Sequence, residues 1–248
     1  MKRQNPYTAF AKFYDQLMSP DKYEVWGRLI ARLVRKHKIP RSTCLDVACG
    51  TGTISAILQR LGFTVIGVDS SREMLRVAKA KCPKATFYRT DIRDFSLPGS
   101  NKPVLAVSFY DSLNYLLSDR DLLRAFRMVN NNLDSRGIFL FDINTRSHAR
   151  VGRKFNPVIH ESREGVAIMR YGGKNRFWTI DIDFFLRRRN TFKRLSERHI
   201  EKGYDERDVL PLLKQANFQV LETIREYKTS STGKKYLARL YFIAKKSG

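Results

Sequence analysis

Leu45-Asp46-Val47-Ala48-Cys49-Gly50-Thr51-Gly52-Thr53 is a short apolar run that breaks into a GxG turn, with an acidic residue four positions ahead of the first glycine. The next apolar run, 64–68, ends in Asp69, nineteen residues beyond Gly50. In a strand–turn–helix–strand unit that interval carries a carboxylate to the ribose hydroxyls of a nucleoside lying over the first turn. The turn therefore marks a site for an adenosine compound.

The flanking residues narrow which one. A phosphate cradle needs GxxxxGK followed by Ser or Thr, whereas Gly52 is followed by Thr53-Ile54-Ser55-Ala56 and no lysine occurs before Lys79. A dinucleotide fingerprint wants Gly or Ala at the position of Ser55, and nothing downstream reads as a separate substrate domain, which disfavours NAD. What remains is a nucleoside without a pyrophosphate, with a ribose for Asp69 and a positive ammonium group for Asp46. S-adenosylmethionine has both.

Working outward, apolar runs and helical patterns alternate. Strands are expected at 43–48, 64–68, 85–89, 103–109 and 137–143, and helices at 52–61, 71–81 and 119–133. Continuous apolar strands separated by helices predict a parallel sheet covered on both faces. Upstream, Val25, Trp26, Leu29, Ile30, Leu33 and Val34 recur at helical spacing over 23–37, ahead of Pro40. After Thr145 the period changes to two in three runs, 166–171, 177–186 and 191–200, which predicts an antiparallel meander over the substrate site. A helix at 206–216 capped by Asp205 and strands at 218–226 and 236–244 complete the chain. The fold expected is doubly wound, Rossmann-like α/β: a mostly parallel seven-stranded sheet with an antiparallel β insertion after strand five. It forms one domain, with an N-terminal helical cover (1–40), a cofactor-binding half (41–145), the insertion (146–203) and a closing helix and strand pair (204–248).

With 248 residues and 42% apolar content, the chain can bury one substantial core. It has no apolar run of the roughly 18 residues a membrane span needs and no secretory leader, so a cytoplasmic location is expected. Cys44, Cys49 and Cys82 are not at zinc-binding spacings, and no metal is expected. The net charge of +23, from 47 basic against 24 acidic side chains, is large for an enzyme of small molecules. It fits either RNA binding or a generally basic surface. Nothing in the sequence specifies an oligomer.

LDVACGTGTIS (45–55), VIGVDSSREML (65–75), YRTDIRDF (88–95) and GIFLFDIN (137–144) together resemble the class I S-adenosylmethionine-dependent methyltransferases, in that family's order and spacing. YDQLM (14–18), DSLNYLL (111–117) and YFIAKK (241–246) extend the resemblance to a small stand-alone bacterial and archaeal subfamily of mostly unassigned substrate. The resemblance implies S-adenosyl-L-methionine as cofactor and S-adenosyl-L-homocysteine as product. It implies cofactor contacts from Asp46, Ala48, Cys49, Gly50, Thr51, Gly52, Asp69 and Ser70. Asp91 and Ile92 would meet the adenine edge, and Met74 either its face or an ordinary helix core. Phe109 and Tyr110 would lie near the sulfonium, and Tyr14 and Trp26 would fold over the cofactor, although core packing explains Trp26 equally well.

Methyl transfer from a sulfonium is an in-line displacement that depends on alignment and exclusion of water. Asp111 and Asn114, with Asp142 and Asn144, fall at or just after the ends of strands four and five, where ligands bind in open α/β sheets. Asp111 is the first choice for holding the acceptor, and His148 is a candidate base or else a surface residue beside Arg146 and Arg150. In the insertion, Arg170, Lys174, Arg176, Arg187, Arg188 and Arg189 interleave with Tyr171, Phe177 and Trp178. That pattern suits single-stranded nucleic acid or simply the polar face of strands. The chain has Asp111-Ser112-Leu113-Asn114 where base-amino methyltransferases carry an NPPY-type tetrapeptide, which argues against nucleobases. Three readings follow: N- or O-methylation of a small molecule, methylation of RNA or a ribosomal component, and a non-catalytic protein that binds the cofactor.

Overall fold

The computed structural model describes residues 11, 14–17, 20–99, 102–163 and 165–247. Its main sheet contains β1 (Thr43–Val47), β2 (Thr64–Asp69), β3 (Thr86–Arg89), β4 (Leu105–Ser108), β5 (Ile138–Asn144), β10 (Phe218–Thr229) and β11 (Lys235–Lys246). The strand order is β10-β11-β5-β4-β1-β2-β3. Pairings from β3 through β5 are parallel, whereas β11 runs antiparallel to both β5 and β10. The expected seven-stranded, mostly parallel α/β sheet is therefore present. Every residue of β5 is buried, as a central strand covered on both faces requires.

The helices are α1 (Tyr14–Leu17), α2 (Pro20–Lys36), α3 (Thr53–Arg60), α4 (Arg72–Lys81), α5 (Asp119–Asn132), α6 (Arg146–Gly152) and α7 (Glu206–Gln215). α2 begins ahead of its apolar stripe, at Pro20, because proline is tolerated in a first helical turn. On one face of the sheet Phe126, Phe139, Phe141 and Phe242 pack in a core closed by Leu213. On the other, Trp26, Ile30 and Leu33 of α2 pack with Leu58, Val107 and Tyr241. Fully burying one such side chain stabilises by about 1.5–3 kcal/mol, so these two layers fix the sheet that carries the GxG turn. No helix among the described residues is long and apolar enough to cross a membrane.

The segment after β5 differs in two ways from the three-run expectation. A short helix, α6, comes first, with Thr145 as its cap accepting from the His148 amide at 3.1 Å. Its seven residues are too few to show a period. The second sheet then has four strands, β6 (Val158–Ser162), β7 (Gly165–Gly172), β8 (Phe177–Arg188) and β9 (Thr191–Lys202), paired antiparallel in that order. β6 escapes the sequence pattern because it is an exposed edge strand without a buried face. Ala167, Ile182 and Phe184 form a small core of this sheet, and Tyr14 of α1 packs against it.

Candidate active site

The turn after β1 is built from left-handed residues: Ala48 (φ 57°), Gly50 (φ 53°) and Gly52 (φ 76°). Gly52 caps α3, and a Cβ there would stand 3.0 Å from the Ala78 side chain and 3.1 Å from its Cα, so the close α3–α4 approach requires glycine. Gly50 is different. A Cβ there would meet no atom within 4 Å, which leaves an open cradle over the turn. Asp69, at the end of β2, accepts from the amides of Gly50 (2.9 Å) and Ser71 (2.8 Å), one on each oxygen. Burial holds its pKa above the ordinary carboxylate range, with these amides pulling against it. A carboxylate offers about four lone-pair sites. The positions that the amides leave open can accept hydroxyl hydrogens, which is the demand a ribose makes.

A cavity of about 670 Å³ opens over this turn. Of the residues expected at a cofactor site, it is lined by Tyr14, Ala48, Gly50, Asp69, Ser70, Met74, Asp91 and Ile92. Ser71, Arg72, Glu73, Arg89 and Arg93 complete that side, and Ser112, Tyr115, Leu116, Leu117 and Asp121 form the wall after β4. Asp91 is gripped by Arg93, whose backbone amide (2.8 Å) and Nε (2.9 Å) donate to Oδ1 and whose Nη2 (2.6 Å) donates to Oδ2. These hydrogen bonds lower the Asp91 pKa and leave one acceptor position toward the cavity.

Other expected residues lie behind this wall. Asp46 is not part of the cavity lining: it is 2% exposed and accepts from the Ser55 hydroxyl at 2.6 Å, and burial pushes its carboxyl up to about 7. Ser55, the residue that departs from the dinucleotide fingerprint, is thus the partner of Asp46. Cys49 and Thr51 are buried, and Thr51 donates to Asp15 at 2.6 Å. The Asp15 carboxylate also accepts from Lys81 at 2.6 Å, which ties α1 to the turn. Trp26 belongs to the core, with its ring 5.5 Å from Phe109 and 5.0 Å from Tyr110, and its Nε1 donates to the Tyr241 hydroxyl at 3.3 Å. Tyr110 lies 6.1 Å from Tyr14, so the aromatics after β4 support the cavity from behind.

The residues expected to hold the acceptor are also buried. Asp111 follows Tyr110 in a second left-handed position (φ 65° and 53°), which costs strain that the surroundings must hold. Its carboxylate accepts from Arg239 Nη2 at 2.8 Å, and its amide donates to Asp142 at 2.9 Å. Asp142 is fully buried and also binds Arg239. Burial, against the pull of Arg239, leaves its carboxyl at about 6. Glu201 of β9 lies beside Asp111 and Trp178. Burial and Asp111 raise its pKa, and its Oε2 has no hydrogen-bond partner among the described residues. Asn114 uses both of its N–H donors and one acceptor position within the fold, since it donates to the carbonyls of Asn144 (2.9 Å) and Lys202 (2.7 Å) and accepts from the Asn144 amide (2.9 Å). It joins the post-β4 turn to β5 and β9 and is a staple, as is the Asn144 backbone. His148 is neither a surface residue nor on the cavity wall, because α6 turns it inward against Trp178 at 5.0 Å and Tyr236 at 6.2 Å.

Among the described residues, the second sheet contributes none to the wall of this cavity. It reaches the cavity at two points: Tyr14, which rests on its core, and Tyr115, whose hydroxyl meets His199 of β9 at 2.8 Å. Sequence reading missed Tyr115, Glu197, Glu201 and Arg239, and ranked His199 below His148. The available signals were a lone arginine in the apolar run 237–244 and the inverted alternation Glu197-Arg198-His199-Ile200-Glu201, in which Ile200 faces out.

Comparisons with known proteins agree with this geometry. Residues 44–137 match the model of a methyltransferase domain. The protein YqeM of Bacillus subtilis, described as a methyltransferase, is 31% identical over 97% of both chains. An S-adenosylmethionine-dependent methyltransferase from Clostridium acetobutylicum superposes with a TM-score of 0.82 at 27% identity, covering 98% of this chain and 99% of that one. A dTDP-3-amino-3,4,6-trideoxy-alpha-D-glucopyranose N,N-dimethyltransferase of Streptomyces venezuelae is 32% identical over 56% of this chain and 62% of its own. A glycine turn open above Gly50, a carboxylate at the end of β2 and relatives described as methyltransferases that match end to end converge on one assignment: this chain belongs to the S-adenosylmethionine-dependent methyltransferases.

Proposed function

We propose that the chain methylates a nitrogen of a small molecule, with the cofactor seated in the 670 Å³ cavity. The observation that carries this reading is the size and lining of that cavity. It falls in the range of about 300–1,000 Å³ that small ligands fill, and it combines apolar Met74, Ile92, Leu116 and Leu117 with a few polar groups. The action of the Streptomyces venezuelae relative on an amino sugar supports nitrogen as the acceptor atom.

When bound, S-adenosylmethionine supplies an electrophilic methyl on a sulfonium. In this reading Asp69 accepts from the ribose hydroxyls with the lone pairs its amides leave open, and Asp91 offers its one open position to the adenine amino group. Met74 and Ile92 line the base, and Tyr14 closes the near side. The protein aligns acceptor and methyl and displaces water, which can supply most of the acceleration of such a displacement. The buried cluster of Asp111, Asp142, Glu201 and Arg239 holds the post-β4 turn in its left-handed form.

A second reading, methylation of RNA, is favoured by one observation. The β8–β9 tip exposes Arg187, Arg188, Arg189, Lys193 and Arg194 around Phe192, which is 54% exposed with Arg187 5.5 Å from its ring centroid. One experiment separates the two. The purified protein and radiolabelled cofactor are incubated with a panel of amino sugars, their nucleotide-linked forms and other small amines, and in parallel with total RNA. Label in the small-molecule fraction is expected. Label confined to RNA, with binding that weakens steeply with salt, overturns the small-molecule reading.

A further inference from the structure

Tyr115 ends the 3-10 turn Ser112–Tyr115 after β4 and lines the cavity. Its hydroxyl is 2.8 Å from His199 Nδ1, and His199 Nε2 is 3.3 Å from Glu197 Oε2. Both β9 residues are 1% exposed. A strand laid against a protein body ordinarily turns apolar side chains inward and polar ones outward. Over 197–201 β9 does the reverse, burying Glu197, His199 and Glu201 while leaving Ile200 39% exposed. Burying such groups is unfavourable unless each is matched by a partner. Here the partners run in line: a carboxylate, an imidazole and a phenol on the cavity wall. The Glu197 carboxylate, at ion-pair distance from Nε2, favours a proton on that nitrogen, which leaves Nδ1 to accept from the Tyr115 hydroxyl.

We propose that Tyr115 is the catalytic residue that takes the acceptor's proton, with His199 receiving the proton of Tyr115 and Glu197 as the positioning residue behind it. The proposal rests on the reading of an amine acceptor. As the nitrogen–methyl bond forms, the sulfur–methyl bond breaks and its electron pair stays on sulfur. The surplus proton on the methylated nitrogen moves to Tyr115 Oη while the phenol's own proton moves to His199 Nδ1. The resulting imidazolium faces the Glu197 carboxylate. The proton then returns through Tyr115 to solvent at the cavity mouth, which restores the starting state. The path gives a role to a buried histidine–glutamate pair that meets the cavity wall at the Tyr115 hydroxyl.

Sinefungin tests this without knowledge of the acceptor, because it carries an amine on carbon where the cofactor carries its methyl on sulfur. Affinities of sinefungin and S-adenosylhomocysteine are measured by calorimetry for the wild type, Tyr115→Phe and His199→Gln, and the His199 imidazole carbon shift is followed by NMR. Tyr115→Phe is expected to weaken sinefungin roughly tenfold, the worth of one hydrogen bond to a charged group, with S-adenosylhomocysteine affinity kept within about twofold. In the wild type, sinefungin but not S-adenosylhomocysteine should move the His199 resonance toward imidazolium, and Tyr115→Phe should abolish that movement. Equal weakening of both ligands, or a His199 resonance indifferent to sinefungin, overturns the relay. The wild-type and Tyr115→Phe measurements decide the question even if His199→Gln does not fold. Label found only in RNA would overturn the small-molecule reading while leaving this result untouched.

Discussion

Arg239 Nη2 stands 2.8 Å from Asp111 Oδ1, so the left-handed turn that ends β4 is fastened to β11 across the whole of β5. The same guanidinium holds Asp142, and all three side chains are buried or nearly so. Breaking a buried ion pair from one side leaves uncompensated charge, which costs about 3–5 kcal/mol. Arg239→Met is therefore expected to lower stability by that order in denaturant titrations. A loss below about 1 kcal/mol, the worth of an exposed pair, would show that water shields this cluster.

Asp69→Ala removes the acceptor of the Gly50 and Ser71 amides and the lone pairs proposed for the ribose. Hydrogen bonds to a charged group contribute roughly 1.5–3 kcal/mol. Calorimetry with S-adenosylhomocysteine should show affinity lower by about 10- to 100-fold. Unchanged affinity would remove the ribose assignment.

Gly50 and Gly52 should separate binding from folding. Gly52→Ala forces a Cβ against Ala78 at a left-handed position and is expected to destabilise the α3–α4 packing, read as a lower melting temperature. Gly50→Ala meets nothing in the protein and should carry only the left-handed penalty of roughly 1–2 kcal/mol, yet it fills the open cradle. Its main effect should be weaker cofactor binding. Similar profiles for the two variants would mean that the cradle is not where the cofactor approaches.

The Asp46 carboxyl, raised to about 7 by burial, gives stability a definite pH dependence. The folded state holds the proton more tightly than the unfolded chain, so this contribution is fully present below the ordinary carboxylate range. It is lost as pH rises toward 7 and is constant above. Asp46→Asn keeps an acceptor for Ser55 without the charge. It is expected to raise stability at pH 8 by on the order of 2–4 kcal/mol, with the gain shrinking toward pH 5. A variant less stable than wild type at pH 8 would show that Asp46 is ionised through a favourable contact.

The cofactor half of the fold was legible because its signals are local. Period, glycine placement and the interval from Gly50 to Asp69 all lie within one β–α–β unit, and the main-sheet strands followed from apolar runs. The acceptor side was not, because its contacts join residues far apart in sequence. Asp111 meets Arg239 across 128 positions, and Tyr115 meets His199 across 84. Asp111, Asn114, Asp142 and His148 were singled out for their chemistry at strand ends. Burial and pairing, which sequence does not display, turned the first three into supports for the turn and set His148 inward against Trp178. α6 and β6 were missed for a related reason, since a seven-residue helix and an exposed edge strand carry too little periodicity to be read.

Tyr14 reaches the cavity by leaning on Ala167, Ile182 and Phe184, so the near wall of the nucleoside seat is borrowed from a sheet that follows it by some 150 residues. The seat cannot be finished until that late segment has folded and docked. A ribosome-bound chain that has emerged only as far as β5 carries every fingerprint residue of the nucleoside turn and still lacks a complete vessel to hold its charge.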